Sequence, residues 1–560
     1  MTAKGRVLSI RHVRMPRSLA NIKHGSSNNK TYIGLDMVAI KSGISIGSKQ
    51  LALPHFYRCL SKSWCIRLVT LFICSLTSPS LHAEDGSAPH VVLIMADDLG
   101  FGDIQALNPQ SEIQTPHLNR LASESLTFTD AHTPSSVCTP TRYGLLTGRY
   151  CWRTSLKRGV LNGYGKPLIE DGRLTLASML KNAGYSTNVV GKWHLGLGLN
   201  GNEENLNLTA PLRNHPGHHG FDQSFIIPAS LDFPPYVYFE NGIATSDDLE
   251  SQSSIAFPAY TRRGPRAKDF ELRTCLDRLT DEAISIVRTM KRSSQPTFLY
   301  FPLTAPHKPV LPNVLFTGST TLGPYGDFIR QVDHTIGRVI NALKQQGQLD
   351  NTVLIVTSDN GSFMKRIPAD EPDHVDDNTI QGFHPEVHRA NGIWRGTKAD
   401  IWEAGHRVPL FVRLPKSLHA GSRVTNLVGL VDIMATLADW LEISLPEGAG
   451  PDSVSFAPVL RDPSNAFERS ALICHSAGGM FAIRKGAWKL IAGNGSGGRE
   501  IPKGKPFGEP WQLVNLHVLN HPPCCVGQNA SSGKIKVIIL INFIIKIKNI
   551  YFFKKNFSLL

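Results

Sequence analysis

Cysteine is scarce, nine in 560 residues. No CxxC pair and no Cys/His ligand spacing occurs, which argues against a structural zinc or iron–sulfur site. Charged residues make up 19% and apolar residues 41%, an ordinary globular balance that excludes a disordered chain or a membrane bundle. Acids are almost missing from both ends. Residues 1–82 hold twelve Lys/Arg against one acid, Asp36, and residues 526–560 hold six Lys and no acid. The formal net charge of +14 therefore lies at the ends, and residues 83–525 carry −3. A body of that charge gives no reason to expect a nucleic-acid partner. The two long apolar runs both fall short of the roughly 20 residues that a membrane-spanning helix needs.

The first of those runs, Leu68 to Leu76, follows Lys62 and Arg67 and precedes small residues ending at Ala83. This is the layout of a signal peptide cleaved after Ala83, so export to the periplasm or the medium is expected. A lipoprotein reading through Cys74 has weaker flanks. The leader, 1–83, is long, and Met37 is a candidate start. Cleavage would leave Cys138, Cys151, Cys275, Cys474, Cys524 and Cys525, too few for a disulfide scaffold in so long a chain. The second run, Val537 to Ile545, lies in a Lys- and Ile-rich tail, 526–560. It reads more readily as a frame error or read-through than as a membrane anchor, because an exposed β-prone run is an aggregation hazard.

Between the ends, buried-strand runs alternate with helical patterns. His90 to Ala96 is continuously apolar, and so are Tyr185 to Val190, Phe298 to Leu303 and Thr352 to Thr357. Leu174 to Ala183, Phe328 to Gln346 and Asp432 to Leu441 have helical periodicity. Strands without polar alternation imply a mostly parallel sheet covered by helices on both faces. The α/β domain is placed at 84–445, with residues 200–270 read as an excursion of loops. Short glycine-separated strands at Ala471 to Ile473, Met480 to Ile483 and Trp488 to Ile491 predict a small antiparallel C-terminal layer, 446–525.

Each strand run ends in a polar cluster, and ligands in such sheets bind beyond the carboxyl ends of the strands. Asp97-Asp98 follows the first, Lys192-Trp193-His194 the second, His307 the third and Asp359-Asn360 the fourth. Asp97, Asp98, Asp359 and Asn360 together form a hard oxygen set suited to Ca²⁺ rather than zinc. Cys138-Thr139-Pro140-Thr141-Arg142 begins a helical segment whose first turn suits Pro140, with Ser135, Ser136 or Thr139 as candidate caps. On a helix Cys138 and Arg142 share one face. Lys192 and His194, two apart, share a side if that segment is extended.

These motifs, in this order, resemble the sulfatase family, specifically its formylglycine-dependent arylsulfatase-type members within the alkaline-phosphatase-like superfamily. The resemblance runs from about Pro89 to about Leu516 and includes Cys138 to Arg149, Gly191-Lys192-Trp193-His194-Leu195-Gly196, Ala305-Pro306-His307 and Arg395-Gly396-Thr397-Lys398. It implies a large mixed, mostly parallel sheet and hydrolysis of a sulfated saccharide or aryl sulfate through a formylglycine hydrate and a covalent sulfo-enzyme. It implies that a maturation enzyme converts Cys138 to formylglycine, and that Asp97, Asp98, Asp359 and Asn360 bind one Ca²⁺ touched by residue 138. Lys192 and Arg142 would hold charge at the nucleophile, His194 would act as base, and His307 and Lys398 would assist the leaving oxygen. Phosphate or phosphonate ester hydrolysis is the alternative within the superfamily. An impaired sulfatase is another, because the strand and helix that usually follow Trp511 to Leu516 are replaced here by the tail. Asp232 to Tyr238 and Phe383 to Glu386 are further candidates for substrate contacts.

Overall fold

The computed structural model describes residues 88–516 apart from positions 292 and 466. The expected leader and the basic tail lie outside the described residues, which all belong to one compact unit. Its centre is the strand His90–Asp97, eight residues buried on both faces. It pairs in parallel with Thr297–Pro306 on one side and Thr352–Ser358 on the other. Such two-sided burial is what the unbroken apolar run requires.

The sheet has ten strands. Their spatial order is Arg423–Val424, Leu126–Phe128, Leu410–Arg413, Thr352–Ser358, His90–Asp97, Thr297–Pro306, Ser186–Lys192, Gln223–Ile227, Phe239–Glu240 and Ile243–Ala244. The five from Thr352–Ser358 to Gln223–Ile227 run parallel, and antiparallel strands flank them. The expected mixed, mostly parallel sheet is therefore present. The amphipathic helices Cys275–Met290 and Gly323–Gln345 bury one face each and pack against each other and the Thr297–Pro306 strand. The second begins a full turn before the predicted Phe328, with a proline in its first turn, where the missing N–H costs nothing.

Residues 200–270 are not loops throughout. Gln223–Ile227 pairs in parallel with Ser186–Lys192 and carries two more strands outward. Its apolar stretch is only Phe225 to Ile227, too short to outweigh the surrounding glycines and prolines. The predicted C-terminal layer is a four-stranded antiparallel sheet of Leu472–His475, Phe481–Lys485, Trp488–Ile491 and Gln512–Asn515. Leu472, Cys474, Met480 and Ile491 pack it against Tyr150, Trp152, Ile401 and Trp402 of the larger layer. Among the described residues no helix is long and apolar enough to cross a membrane.

Candidate active site

The parallel strands end at one edge of the sheet and deliver their polar termini together. Asp97 closes His90–Asp97, Lys192 closes Ser186–Lys192, His307 follows Thr297–Pro306, and Asp359 follows Thr352–Ser358. Facing them is the helix Cys138–Thr147, buried along its whole length. Its N-cap is Val137, without a side-chain cap, so the serine or threonine cap read from the sequence is not formed. The preceding turn is held instead by main-chain bonds, Ser136 N–H to the His475 carbonyl at 2.9 Å and Ala399 N–H to the Ser136 carbonyl at 2.8 Å. Those bonds tie the Cys138 turn to the Lys398 loop and to the C-terminal sheet.

Around Cys138 charges alternate. Its Sγ lies 3.4 Å from Lys398 Nζ and 3.6 Å from Asp97 Oδ1. Lys398 Nζ donates to Asp98 Oδ1 at 2.6 Å, and Lys192 Nζ donates to both Asp97 oxygens at 2.8 and 2.7 Å. Arg142 donates through Nε and Nη2 to Asp359 Oδ2 at 3.1 and 2.7 Å, and through Nη1 to the Lys192 carbonyl at 2.9 Å. Asn360 Nδ2 donates to Asp98 Oδ1 at 2.6 Å, and His307 Nε2 stands 3.7 Å from Asp98 Oδ2. Asp97, Asp98, Asp359, Asn360, Arg142 and Lys192 are wholly buried.

His194 joins the group by another route than the one its spacing suggested. The strand stops at Lys192, and His194 takes a left-handed φ of 55°, so the two do not share a side by strand alternation. Its Nε2 lies 2.7 Å from the Leu161 carbonyl. A carbonyl only accepts, so Nε2 carries the hydrogen and Nδ1 keeps a lone pair, which is buried without a partner. His307 has the opposite tautomer, since Nδ1 donates to the Lys308 carbonyl at 2.6 Å. Among the described residues, three of the nine non-glycine positions with positive φ, Asp98, His194 and Ala399, lie in or beside this site. Strain collected this way is held by surrounding structure at functional positions.

Burial and neighbouring charge set the proton affinities. Burial first, then the Asp359 carboxylate, push the Cys138 thiol up to about 12 against the pull of Lys192 and Lys398. Such a thiol stays protonated and is a poor nucleophile. Burial, together with Asp97 and Asp359, raises Asp98 to about 6 despite Lys398. Burial also favours protonated Asp97, but Lys192, Arg142 and Lys398 more than offset it and hold the carboxyl below its usual range. His194 and His307 are both pressed well below the usual imidazole range, by burial and then by cations, Lys192 and Arg142 for His194 and Lys398 and Lys192 for His307. Both rings are therefore neutral near pH 7.

The donor set also fits a divalent cation. Asp98 Oδ2 and Asn360 Oδ1 are buried with no hydrogen-bond partner, and Asp97, Asp98, Cys138 and His307 offer ligand atoms within 4.8 Å of one another. Three carboxylates and an amide oxygen are the chemistry of Ca²⁺ or Mg²⁺. Asp232, a candidate for substrate contacts in the sequence, borders His307, while sequence reading missed its partner Arg262 and the neighbouring Lys308. Lys308 follows directly after a recognised motif, whereas Arg262 gives no local signal.

Comparison with known proteins shows the family. The sulfatase family model matches residues 89–443. An N-acetylgalactosamine-6-O-sulfatase of Bacteroides thetaiotaomicron is 32% identical over 476 residues, covering 79% of this chain and 88% of the relative. Arylsulfatase A of Bos taurus is 31% identical over 418 residues, covering 72% of this chain and 74% of the relative. A solved sulfatase from glycosaminoglycan metabolism in Bacteroides thetaiotaomicron superposes with a TM-score of 0.67 at 31% identity, covering 77% of this chain and 94% of that one. A phosphonate monoester hydrolase of Silicibacter pomeroyi shares the fold alone, with a TM-score of 0.53 at 17% identity, covering 82% of this chain and 94% of that one. Sheet and sequence agree, and the chain belongs to the sulfatase family, whose members hydrolyse sulfate esters.

Proposed function

We propose that the chain is an exported hydrolase of sulfated saccharides, with aryl sulfates as secondary substrates, that works through formylglycine at position 138. The carrying observation is the buried, protonated Cys138 thiol set between Lys398 Nζ at 3.4 Å and Asp97 Oδ1 at 3.6 Å. A thiol pushed up to about 12 has no use as a thiolate, but its position suits a residue oxidised to an aldehyde. Hydrated formylglycine would supply the hydroxyl that attacks sulfur, and Ca²⁺ on Asp97, Asp98, Asp359 and Asn360 would polarise that centre.

The chain's own groups do the rest. Arg142 and Lys192 hold Asp359 and Asp97 in place and offset negative charge among wholly buried side chains. Lys398, whose proton burial weakens but Asp98 and Cys138 strengthen further, stays an ammonium and holds a proton for the leaving oxygen. His307, neutral with Nε2 bare, takes a proton only once an anionic sulfate lies beside it, so Lys398 carries most of that task. His194 Nδ1, with its free lone pair, accepts the proton that must leave when sulfate is expelled. The saccharide preference rests on similarity to the N-acetylgalactosamine-6-O-sulfatase.

Peptide mass spectrometry across Cys138, on protein made with a formylglycine-generating enzyme, is the test. The aldehyde mass should appear together with sulfate release. An unmodified thiol, or faster turnover of a phosphate analogue than of the sulfate, would overturn the reading. Calcium binding has a readout apart from activity. Saturating Ca²⁺ at about 100 times Kd should add roughly 2.7 kcal/mol to unfolding, and Asp98→Asn should abolish that gain.

A further inference from the structure

At the edge of the His307 ring opposite the one near Asp98 stands an acid–base pair, Asp232 and Arg262, that no catalytic step above uses. The loop after the strand Gln223–Ile227 brings Asp232 to 3.8 Å from His307 Nδ1. That nitrogen already donates to the Lys308 carbonyl, so Asp232 Oδ1 receives nothing from it. Asp232 is 3% exposed, and its Oδ1 is buried without a hydrogen-bond partner. Its other oxygen is held by the Arg262 guanidinium, which also lies 3.9 Å over the Phe233 ring and 5.2 Å from Tyr260.

The loop is fixed before any ligand arrives. Tyr236 Oη donates to the Arg262 carbonyl at 2.7 Å and accepts from the Arg262 N–H at 3.0 Å. Tyr236 N–H donates to the Pro265 carbonyl at 3.0 Å. The carboxylate is therefore held in place, and an acceptor oxygen left bare in a buried site is costly. A ligand hydroxyl would supply the missing donor. Phe233 is only partly covered, with Arg262 over its ring and its centroid 6.1 Å from that of His194. A bare acceptor suits a sugar ring, which offers hydroxyl donors at its edge.

We propose that Asp232 is a specificity-determining residue that accepts a hydrogen bond from a hydroxyl near the sulfate ester and so selects saccharide over aryl leaving groups. This rests on the sulfatase reading above and deepens it. Arg262 is its positioning residue, holding one carboxylate oxygen so that the other faces the substrate. An aryl sulfate without hydroxyls leaves Asp232 bare, and sites built around a substrate hydroxyl discriminate strongly against analogues lacking it.

The test compares the full chain with Asp232→Asn and Asp232→Ser. One readout is the ratio of kcat/KM for N-acetylgalactosamine-6-sulfate to that for 4-nitrophenyl sulfate. The other is calorimetric Kd for the same sugar on a Cys138→Ser background, where turnover is not needed. The ratio should fall at least tenfold and the Kd should rise at least tenfold in both variants. An unchanged ratio, an unchanged Kd, or no sugar binding with Asp232 intact would each overturn the proposal. Absence of turnover on either sulfate, with the Kd still dependent on Asp232, would count against the sulfatase mechanism and not against the subsite.

Discussion

At Arg142 one guanidinium does three things at once: it meets Asp359 twice and caps the Lys192 carbonyl. Lysine cannot reproduce that planar fork. Arg142→Lys should therefore lower kcat by about 100-fold with a smaller change in KM, read from steady-state kinetics; a loss under threefold would show that the fork is dispensable. Gly191 belongs to the same site for a steric reason. Its φ is +128°, and a Cβ there would meet the Pro302 carbonyl oxygen at 1.9 Å. Gly191→Ala should cost at least about 2 kcal/mol in denaturant unfolding, since neither strand can move without dragging Lys192 or His307.

At the scale of elements, the short helix Glu403–His406 joins the two layers through buried charge. Glu403 accepts from Lys489 at 3.0 Å and Arg484 at 3.3 Å, both on the antiparallel sheet, and from Arg407 at 3.2 Å. Asp130 takes Arg407 and Arg484 at 2.6 Å each and His132 at 2.7 Å. Three cations against two carboxylates leave no room for a charged imidazole. Glu403→Gln should destabilise by about 3 kcal/mol, because it strands Lys489 in a buried position; an unfolding midpoint equal to the parent's would sink this account. This junction was not legible in the sequence, where nothing near Glu403 marks its distant partners Arg484 and Lys489. The central strands were legible because both their faces are buried and the runs are unbroken. Gln223–Ile227 was not, its run being short and its pairing long-range. The candidate catalytic positions were readable because each sits in a short motif, at a strand end for Lys192 and His307, on a helix for Cys138 and Arg142 and in a loop for Lys398, whereas the tie between Asp232 and His307 spans a long stretch of chain.

The whole molecule's response to acid follows from its buried histidines. Burial pulls His132 down to about 4, despite opposing Glu403 and Asp130, and burial likewise brings His219 and His475 to about 4, with Lys157 adding to it at His475. The unfolded chain takes these protons near 6.5 and the fold only near 4, so stability is whole above pH 6.5 and drains away as pH falls towards 4. Asp98, raised to about 6 by burial and by Asp97 and Asp359, has the opposite sign and offsets one of the three. The thermal midpoint should drop by roughly 5 °C or more between pH 7.5 and 5; a flat profile in scanning calorimetry would contradict the assignment.

The Cys138 side chain is 1% exposed, at the head of a helix with no exposed residue. A modifying enzyme must take the thiol and the chain around it into its own active site, and the finished fold holds that whole helix buried, a bar that a small sulfate ester does not meet. On the proposed chemistry, residue 138 must be converted while the chain is still being made or threaded for export. Molecules that fold first are then lost to activity for good, so specific activity in any preparation measures a race between two clocks, folding and maturation.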